Sequence, residues 1–419
     1  MKVLVVGSGG REHTLVWKLS QSPKVTDIYT APGNAGTSFL SQNLEIKADD
    51  VDTLVRFALE NKIDLTVIGP EGPLAAGIVD AFQAKDLRVF GPNKTAAQIE
   101  ASKVFSKNLM HKYGIPCANS VNISSYEEAK KYVNNQQMPL VIKADGLAAG
   151  KGVVVAETRE QALHALSDIM DSRLYGEAGS SVVIEEKMIG KEMSTFSIAD
   201  AFTSMPMVSA CDHKAVYDGN KGPNTGGMGC YSPPYFLTTE LSAQVADKIM
   251  NPTIQAMIKE DKPYHGVLYG GLMITNEGPK VMEFNARFGD PETQVILPRL
   301  KSDLFEIMLA VTDNNLKSIE MEWHEDACVG VVMASGGYPG SFKKELPISG
   351  LNDVDNDIMV FHAGTKIDSS GKIVTDGGRV LSVVALGKNL AEARQKVYNN
   401  ISRIHFEGCH YRRDIALFD

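Results

Sequence analysis

The chain has 419 residues, of which 43% are hydrophobic and 22% charged, with a net charge of −9 and a pI near 5.6. This length predicts two to four domains, and the acidic balance argues against general binding to nucleic acid or to an anionic membrane, because both need a positive surface. Five scattered cysteines without a Cys-x-x-Cys pattern, and no apolar run near the ~18 residues of a membrane span, predict a cytoplasmic protein.

Strands and helices alternate over residues 1–100. Strands are predicted at KVLVVG, DIYTA, DLTVIG and RVFGP, and helices from Arg11 to about Gln21, at VDTLVRFALENK and at LAAGIVDAFQAK. Repeated βαβ units predict a parallel sheet whose strand C-termini form a ligand edge. We therefore expect an N-terminal βαβ substrate domain over residues 1–100.

The first strand runs into a glycine turn, GSGGRE, at residues 7–12. The dinucleotide fingerprint G-x-G-x-x-G needs a small residue where this chain has Glu12, so the match is broken. Three interpretations stay open: a dinucleotide site, a purely structural turn, and a site for the phosphate of a smaller ligand at the helix N-terminus. The last is favoured.

A two-lobed core is predicted over residues 101–324, with a mobile small α+β lobe at about 117–192. Within the small lobe, KADGLAAGKG at residues 143–152 resembles a P-loop only superficially, because its glycine spacing is wrong and no Ser or Thr follows the second lysine. Its lysines and glycines could cradle an anion, or form a solvated hairpin tip. The strand VVIEEKM then places two carboxylates near a turn. This turn could hold an adenine edge, or the two carboxylates are surface charge.

The stretch KVMEFNARFGDPETQ at residues 280–294 carries the strongest single signal. On a strand, Glu283 and Asn285 project from the same face, and their oxygens form half of a Mg²⁺ site that waters and nucleotide phosphates complete. Arg287 continues the alternation if the strand persists, which would set a guanidinium beside the metal. The alternative is a solvated row of charges at a sheet edge.

The remaining segments complete the expected architecture. Antiparallel strands, a hairpin across residues 276–278 and a glycine-rich loop at 219–229 are predicted between residues 193 and 320. That loop suits anion binding by backbone N–H groups, while the adjacent His213 is taken as structural. The strands ACVGVVMASGG, IMVFHAG and RVLSVVALG and the helix LAEARQKVYNNISRI predict a C-terminal α+β domain over residues 325–419.

The order of these motifs resembles the ATP-grasp superfamily, which clamps ATP between two α+β lobes. More narrowly, GSGGREH, GPEGPLAAG, VIKADGLAAGKGV, GPNTGGMG and RFGDPETQ resemble the glycinamide ribonucleotide synthetase family. The resemblance implies that ATP drives ligation of glycine to 5-phosphoribosylamine in de novo purine biosynthesis. The products would be glycinamide ribonucleotide, ADP and phosphate, formed through glycyl phosphate.

The resemblance also assigns residues to each ligand. For the nucleotide, Lys103 and Lys143 would contact the phosphates, and a glycine loop with Gly146, Gly150, Lys151 and Gly152 would form a lid over them. Glu185, Glu186 and the backbone of Met188 would hold adenine, and Glu192 would hold the ribose. The metal ligands are Glu283 and Asn285. Around glycine and the acyl phosphate lie Asp212, Lys214, Asn224, Thr225, Gly226, Gly227, Arg287 and Asp290. Facing phosphoribosylamine are Gly9, Gly10, Arg11, Glu12 and Glu71.

The expected cofactors are ATP and Mg²⁺ or Mn²⁺, the partners are the two small substrates alone, and the chain is expected to be a monomer. Three alternatives remain. The first is another ATP-grasp carboxylate–amine ligase or carboxylase, which would use different substrates. The second is an NAD-dependent oxidoreductase, which the opening turn alone favours. The third is a nucleotide-binding regulator, which would lack catalysis.

Overall fold

A computed structural model of the protein describes residues 1–148 and 152–418. Its first part is a five-stranded parallel sheet in the order β3-β2-β1-β4-β5, as the alternating pattern predicts. The elements are β1 (Lys2–Gly7), α1 (Gly10–Leu19), β2 (Asp27–Pro32), β3 (Gln42–Asn43), α2 (Val51–Asn61), β4 (Leu65–Ile68), α3 (Glu71–Ala76), α4 (Ile78–Gln83) and β5 (Val89–Phe90). The one helix predicted over residues 74–85 is wrong: Gly77, with φ of +100°, divides it into two short helices.

The small lobe is a four-stranded antiparallel sheet in the order β6-β9-β7-β8. The elements from its leading helices onward are α5 (Gln98–Ala101), α6 (Lys103–Tyr113), β6 (Ser120–Ile123), α7 (Tyr126–Asn134), β7 (Leu140–Ala144), β8 (Val153–Ala156), α8 (Arg159–Leu166) and β9 (Val182–Glu186). The Ser102 hydroxyl caps α6 by accepting from the Phe105 N–H, and Gly114, with φ of +66°, ends it. The lobe has a hydrophobic core of its own, separate from the main core.

The large lobe is built on a second antiparallel sheet in the order β11-β10-β16-β17. Its elements are β10 (Lys191–Asp200), β11 (Ser204–Pro206), β12 (Cys211–Asp212), β13 (Ala215–Tyr217), β14 (Lys221–Asn224), β15 (Gly229–Ser232), α9 (Thr239–Val245), α10 (Asn251–Lys259), β16 (His265–Thr275), β17 (Gly278–Asn285), α11 (Thr293–Ile296) and α12 (Leu304–Thr312). The predicted hairpin between β16 and β17 is confirmed. Because β17 ends at Asn285, the strand does not persist to Arg287, so the condition for placing Arg287 on the face of Glu283 and Asn285 is not met.

The C-terminal part adds β18 (Ala327–Ala334), β19 (Ile358–His362), β20 (Thr365–Ile367), β21 (Ile373–Thr375), β22 (Arg379–Gly387) and α13 (Leu390–Ile401). Its main sheet has the order β12-β15-β18-β22-β19, so it includes two strands that precede the boundary predicted at residue 324. That boundary, like the one at residue 100, stays a prediction.

One continuous apolar cluster joins the N-terminal sheet, the large lobe and the C-terminal sheet. Val5 of β1, Phe196 of β10, Phe305 of α12 and Phe361 of β19 all belong to it. The three parts therefore pack as one body, which fixes the side chains at their junction. Among the described residues, no helix is both long and apolar enough to cross a membrane.

Candidate functional site

The opening glycine turn is shaped around the side chain of Glu12, which is 2% exposed. The Glu12 carboxylate accepts from the Gly9 N–H at 2.6 Å and from Arg11 Nε at 2.6 Å, so it caps the first turn of α1. A Cβ on Gly7 would lie 2.5 Å from Glu12 Cγ, and one on Gly69 would lie 2.0 Å from Glu12 Oε1. The glutamate that breaks the dinucleotide fingerprint thus occupies space that two glycines leave open.

A cavity of about 630 Å³ opens where this turn meets the C-terminal part. Its walls include Gly9, Asn34, Asp290, Lys366 and Arg379. The Asn34 amide donates to the backbone oxygens of Ser8 at 2.9 Å and His362 at 2.8 Å, which ties the two parts together. Gly9 thus lies at the cavity, whereas the side chains of Arg11 and Glu12 are buried against each other.

Arg379 links the cavity to the glycine-rich loop. Its guanidinium lies 3.1 Å from Asp290 Oδ2, and it donates to the backbone oxygen of Asp290 at 2.9 Å and to that of Gly226. Burial alone would raise the pKa of Asp290, but Arg379 and Arg11 lower it below its ordinary value. Within the loop, the Thr225 hydroxyl accepts from the Gly227 N–H at 3.0 Å, and Asn224 ends β14 beside it. The predicted loop therefore reaches the cavity wall through Gly226, which contacts Arg379 and Tyr338.

Two predicted phosphate lysines lie on one side of the junction between the lobes. Lys143 Nζ is 3.0 Å from Glu185 Oε2 and donates to the Met282 oxygen at 2.9 Å. Lys103 Nζ donates to the Gly146 oxygen at 2.8 Å. Burial lowers the pKa of Lys103, although the nearby Glu283 opposes the effect. The structure thus brings both lysines and Glu185 close to β17.

The other predicted nucleotide residues divide between this cluster and the surface. Glu186 points away from the lysines and accepts from the backbone and side-chain nitrogens of Asn119 at 2.9 and 3.1 Å, because neighbouring residues of a strand face opposite sides. Met188 is half-buried in the segment between β9 and β10. Gly152 is described, whereas the predicted Gly150 and Lys151 lie outside the described residues.

The predicted metal pair is on the face of β17 that the pattern indicates. Glu283 is opposite Gly271 of β16, and Asn285 is opposite Tyr269. Across residues 1–148 and 152–418, no three His, Cys, Asp or Glu side chains form a metal site. A carboxylate and an amide oxygen are hard donors that suit Mg²⁺, which commonly keeps waters and phosphates as its other ligands. The donor set therefore fits a nucleotide-bound divalent ion.

A second polar cluster, in which Lys214 and Glu192 are partly exposed, contains three predicted side chains. Lys214 Nζ is 2.9 Å from Asp212 Oδ1 and 3.1 Å from Glu192 Oε2. Burial would lower the pKa of Lys214, but Asp212 and Glu192 raise it well above its ordinary value. Glu292, which the sequence analysis did not single out, accepts from the Ser194 hydroxyl at 3.0 Å, and burial together with Asp212 raises its pKa. This cluster can hold a charged amino acid between cation and carboxylates.

Arg287 turns toward the N-terminal part rather than continuing the face of β17. Its Nη2 lies 3.0 Å from Glu100 Oε1, and its Nε lies 3.3 Å from Glu71 Oε2. Burial raises the pKa of Glu100 despite Arg287, and the two carboxylates keep the pKa of Arg287 above its ordinary value against the effect of burial. Glu100 also accepts from the Ala286 N–H at 2.7 Å. The arginine therefore connects the end of β17 to the N-terminal part.

Family models match nearly the whole chain. The N domain, the ATP-grasp (A) domain and the C domain of phosphoribosylglycinamide synthetase match residues 1–100, 101–293 and 328–417. The chain belongs to the phosphoribosylglycinamide synthetase family. It is 52% identical over 417 residues to the phosphoribosylamine–glycine ligase of Halalkalibacterium halodurans, covering 99% of this chain and 96% of that one.

Solved structures agree with this family assignment. The crystal structure of the phosphoribosylamine–glycine ligase from Thermotoga maritima matches with a TM-score of 0.87 and 33% identity, covering 99% of this chain and 100% of that chain. The biotin carboxylase domain of a 2-oxoglutarate carboxylase from Hydrogenobacter thermophilus matches with a TM-score of 0.75 at 14% identity, over 98% of this chain and 91% of that one. The second likeness concerns the fold alone.

These comparisons confirm the predicted family and fold class, including the two-lobed ATP-grasp core. An ATP-grasp core implies use of ATP with a divalent metal. The sequence analysis missed several side chains that the phosphoribosylglycinamide synthetase fold brings to the predicted residues: Glu100, Lys107, Glu292, Tyr338, Lys366 and Arg379. Glu292 lies within the quoted motif RFGDPETQ, whereas the others belong to none of the quoted motifs and become evident only from their tertiary contacts.

Proposed function

We propose that this protein ligates glycine to 5-phosphoribosylamine with conversion of ATP to ADP and phosphate. The observation that carries the proposal is the course of residues 283–290. This short segment begins at the metal pair, continues through Arg287 and ends at Asp290 on the wall of the cavity. A phosphorylated intermediate formed beside Glu283 would thus lie close to an amine bound in the cavity.

The nucleotide is proposed to bind between the small and large lobes. Lys103 and Lys143 would contact its phosphates, and Glu185 with the backbone near Met188 would contact adenine. Glu283 and Asn285 would hold Mg²⁺ or Mn²⁺, which when bound neutralises phosphate charge. The desolvation of Lys103 supports this assignment, because a buried ammonium gains from an anionic partner.

Phosphoribosylamine is proposed to bind in the cavity of about 630 Å³ between the N-terminal and C-terminal parts. Gly9 and Asn34 line one wall, and the cations Lys366 and Arg379 line another. The 5-phosphate would be held by these two cations next to the opening turn, since bidentate guanidinium contacts suit phosphate. Glu12 would act by fixing the shape of that turn.

The reaction needs positioning and charge neutralisation rather than a nucleophilic side chain. A glycine carboxylate oxygen attacks the γ-phosphorus, ADP leaves, and glycyl phosphate forms. The amine of phosphoribosylamine then attacks the carbonyl carbon, phosphate leaves with the former carboxylate oxygen, and the nitrogen loses a proton. Lys214 and Arg287 would neutralise the charge that develops on the transferred group.

An ATP-grasp carboxylase is the second candidate, because the biotin carboxylase fold is shared. ADP release measured with glycine, phosphoribosylamine and bicarbonate each omitted in turn separates the two. The proposed ligase requires glycine and ignores bicarbonate, and glycine-independent release would overturn the proposal. We also propose that the chain acts as a monomer in the cytoplasm, and size-exclusion chromatography with light scattering tests the first part.

A further inference from the structure

Lys107 is a buried lysine that none of the proposed ligand contacts uses. It lies on α6, one helical turn after Lys103, and it is 2% exposed. Its Nζ is 3.1 Å from Glu185 Oε1. The ammonium forms no hydrogen bond of standard geometry with any described residue, and Glu185 Oε1 is likewise without one. A buried ammonium is costly to the fold, so its retention here needs a reason.

Glu185 lies between two lysines that come from different elements. Lys107 on α6 contacts Oε1, and Lys143 on β7 contacts Oε2 at 3.0 Å. The carboxylate itself is 3% exposed on β9. Lys143 is proposed to contact the nucleotide phosphates, so its ion pair with Glu185 would weaken when ATP binds. Lys107 would then be the cation that remains beside the carboxylate.

We propose that Lys107 is a positioning residue that holds the Glu185 carboxylate in place, so that the protein selects a nucleotide with a 6-amino group. The inference rests on the proposed function, in which Glu185 contacts adenine. An ionised carboxylate only accepts hydrogen bonds, so it attracts the 6-amino group of adenine and repels the 6-oxo group of hypoxanthine. Without Lys107, the carboxylate loses the cation at Oε1 that fixes its orientation, so it is no longer aligned to accept from the 6-amino group.

The test compares kcat/KM for ATP and for ITP at saturating glycine and phosphoribosylamine, in the wild type, Lys107→Met, Lys107→Arg and Glu185→Gln. ITP differs from ATP at the 6-position of the base. We expect Lys107→Met to lose about 10- to 100-fold in kcat/KM for ATP, mainly through KM, as loss of a charge-assisted contact commonly does. Its preference for ATP over ITP should fall by at least about tenfold, and Lys107→Arg should recover much of it.

Glu185→Gln should also lose preference for ATP, because an amide can donate to the oxo group. The matched control is Lys112→Met on the same helix, where the exposed lysine pairs with Glu260 at 2.6 Å. It should keep the wild-type ratio. If the ratio of kcat/KM for ATP to kcat/KM for ITP is unchanged in either Lys107→Met or Glu185→Gln, the inference is overturned. Glu185→Gln provides the test if Lys107→Met does not fold. A wild type without ATP- and glycine-dependent turnover would instead contradict the proposed function.

Discussion

Arg287 gives the sharpest test of the site because its proposed catalytic role and its structural contribution can be separated. The substitution Arg287→Met removes the guanidinium and leaves Glu100 buried with its Ala286 N–H contact alone among the described partners. Breaking a buried ion pair on one side commonly costs about 3–5 kcal/mol of unfolding free energy. Domains are stable by only about 5–15 kcal/mol, so the single variant is expected to be markedly less stable.

The double variant Arg287→Met/Glu100→Gln removes the unpaired charge. It should recover about 1–3 kcal/mol of the unfolding free energy relative to the single variant, which is the usual size of coupling between contacting residues. Its kcat should remain about 10²- to 10³-fold below wild type, because a preorganised donor for the transferred group is missing in both variants. Glu100→Gln alone is the matched control for the second substitution.

The pH dependence of the single variant has a defined sign. Burial raises the folded-state pKa of Glu100 above its ordinary value near 4.5. The folded protein therefore keeps a proton that the unfolded chain has lost, and the unfolding free energy falls as the pH rises above that value. Loss of Arg287 raises this pKa further, so the deficit of Arg287→Met should be larger near pH 8 than near pH 5.

Urea denaturation followed by circular dichroism measures the stability part, and glycine-dependent ADP formation measures the activity part. A folded double variant with near-wild-type kcat would refute the catalytic role of Arg287. A single variant as stable as the wild type at pH 8 would refute the buried ion pair with Glu100.

Three further predictions concern the N-terminal part and its junction with the C-terminal part. Gly69→Ala should lower the unfolding free energy by about 1–3 kcal/mol, because its Cβ would lie 2.0 Å from Glu12 Oε1. The control Gly72→Ala, whose Cβ would have nothing within 4 Å, should leave the unfolding free energy unchanged. Equal losses of unfolding free energy in urea denaturation would contradict the packing around Glu12. Burial lowers the pKa of His13 from 6.5 to about 3, so the unfolding free energy should rise with pH across that range. The substitution His13→Gln should flatten this rise. An unchanged slope of unfolding free energy against pH would show that His13 is not the titrating group. Arg379→Met should raise KM for phosphoribosylamine about 10- to 100-fold in steady-state kinetics, with little change in KM for ATP. Equal changes in both KM values would show that the 5-phosphate of phosphoribosylamine binds elsewhere.

The sequence predicted those features that depend on local pattern. The βαβ alternation gave the parallel sheet, and the two-residue spacing of Glu283 and Asn285 placed both side chains on one face. The same spacing does not extend to Arg287, two residues beyond Asn285, because nothing local shows that β17 ends at Asn285 and that Arg287 pairs with Glu100. Strand ends depend on tertiary contacts as well as on propensity.

The sequence also indicated the opening turn without revealing its construction. Glu12 was informative because it broke a fingerprint, but its capping role depends on space left by Gly69, a residue far along the chain. Lys107 and Arg379 carried no motif at all. Both act through partners on other elements, so only the assembled fold shows them.

The central claim is that glycine is activated by transfer of a phosphoryl group to its carboxylate, and isotope transfer tests it most directly. Glycine labelled with ¹⁸O in both carboxylate oxygens is incubated with the protein, ATP and phosphoribosylamine, and the released phosphate is analysed by mass spectrometry or ³¹P NMR. The account predicts that one ¹⁸O atom enters each phosphate and that one remains in the amide product. Unlabelled phosphate released together with the amide would contradict it.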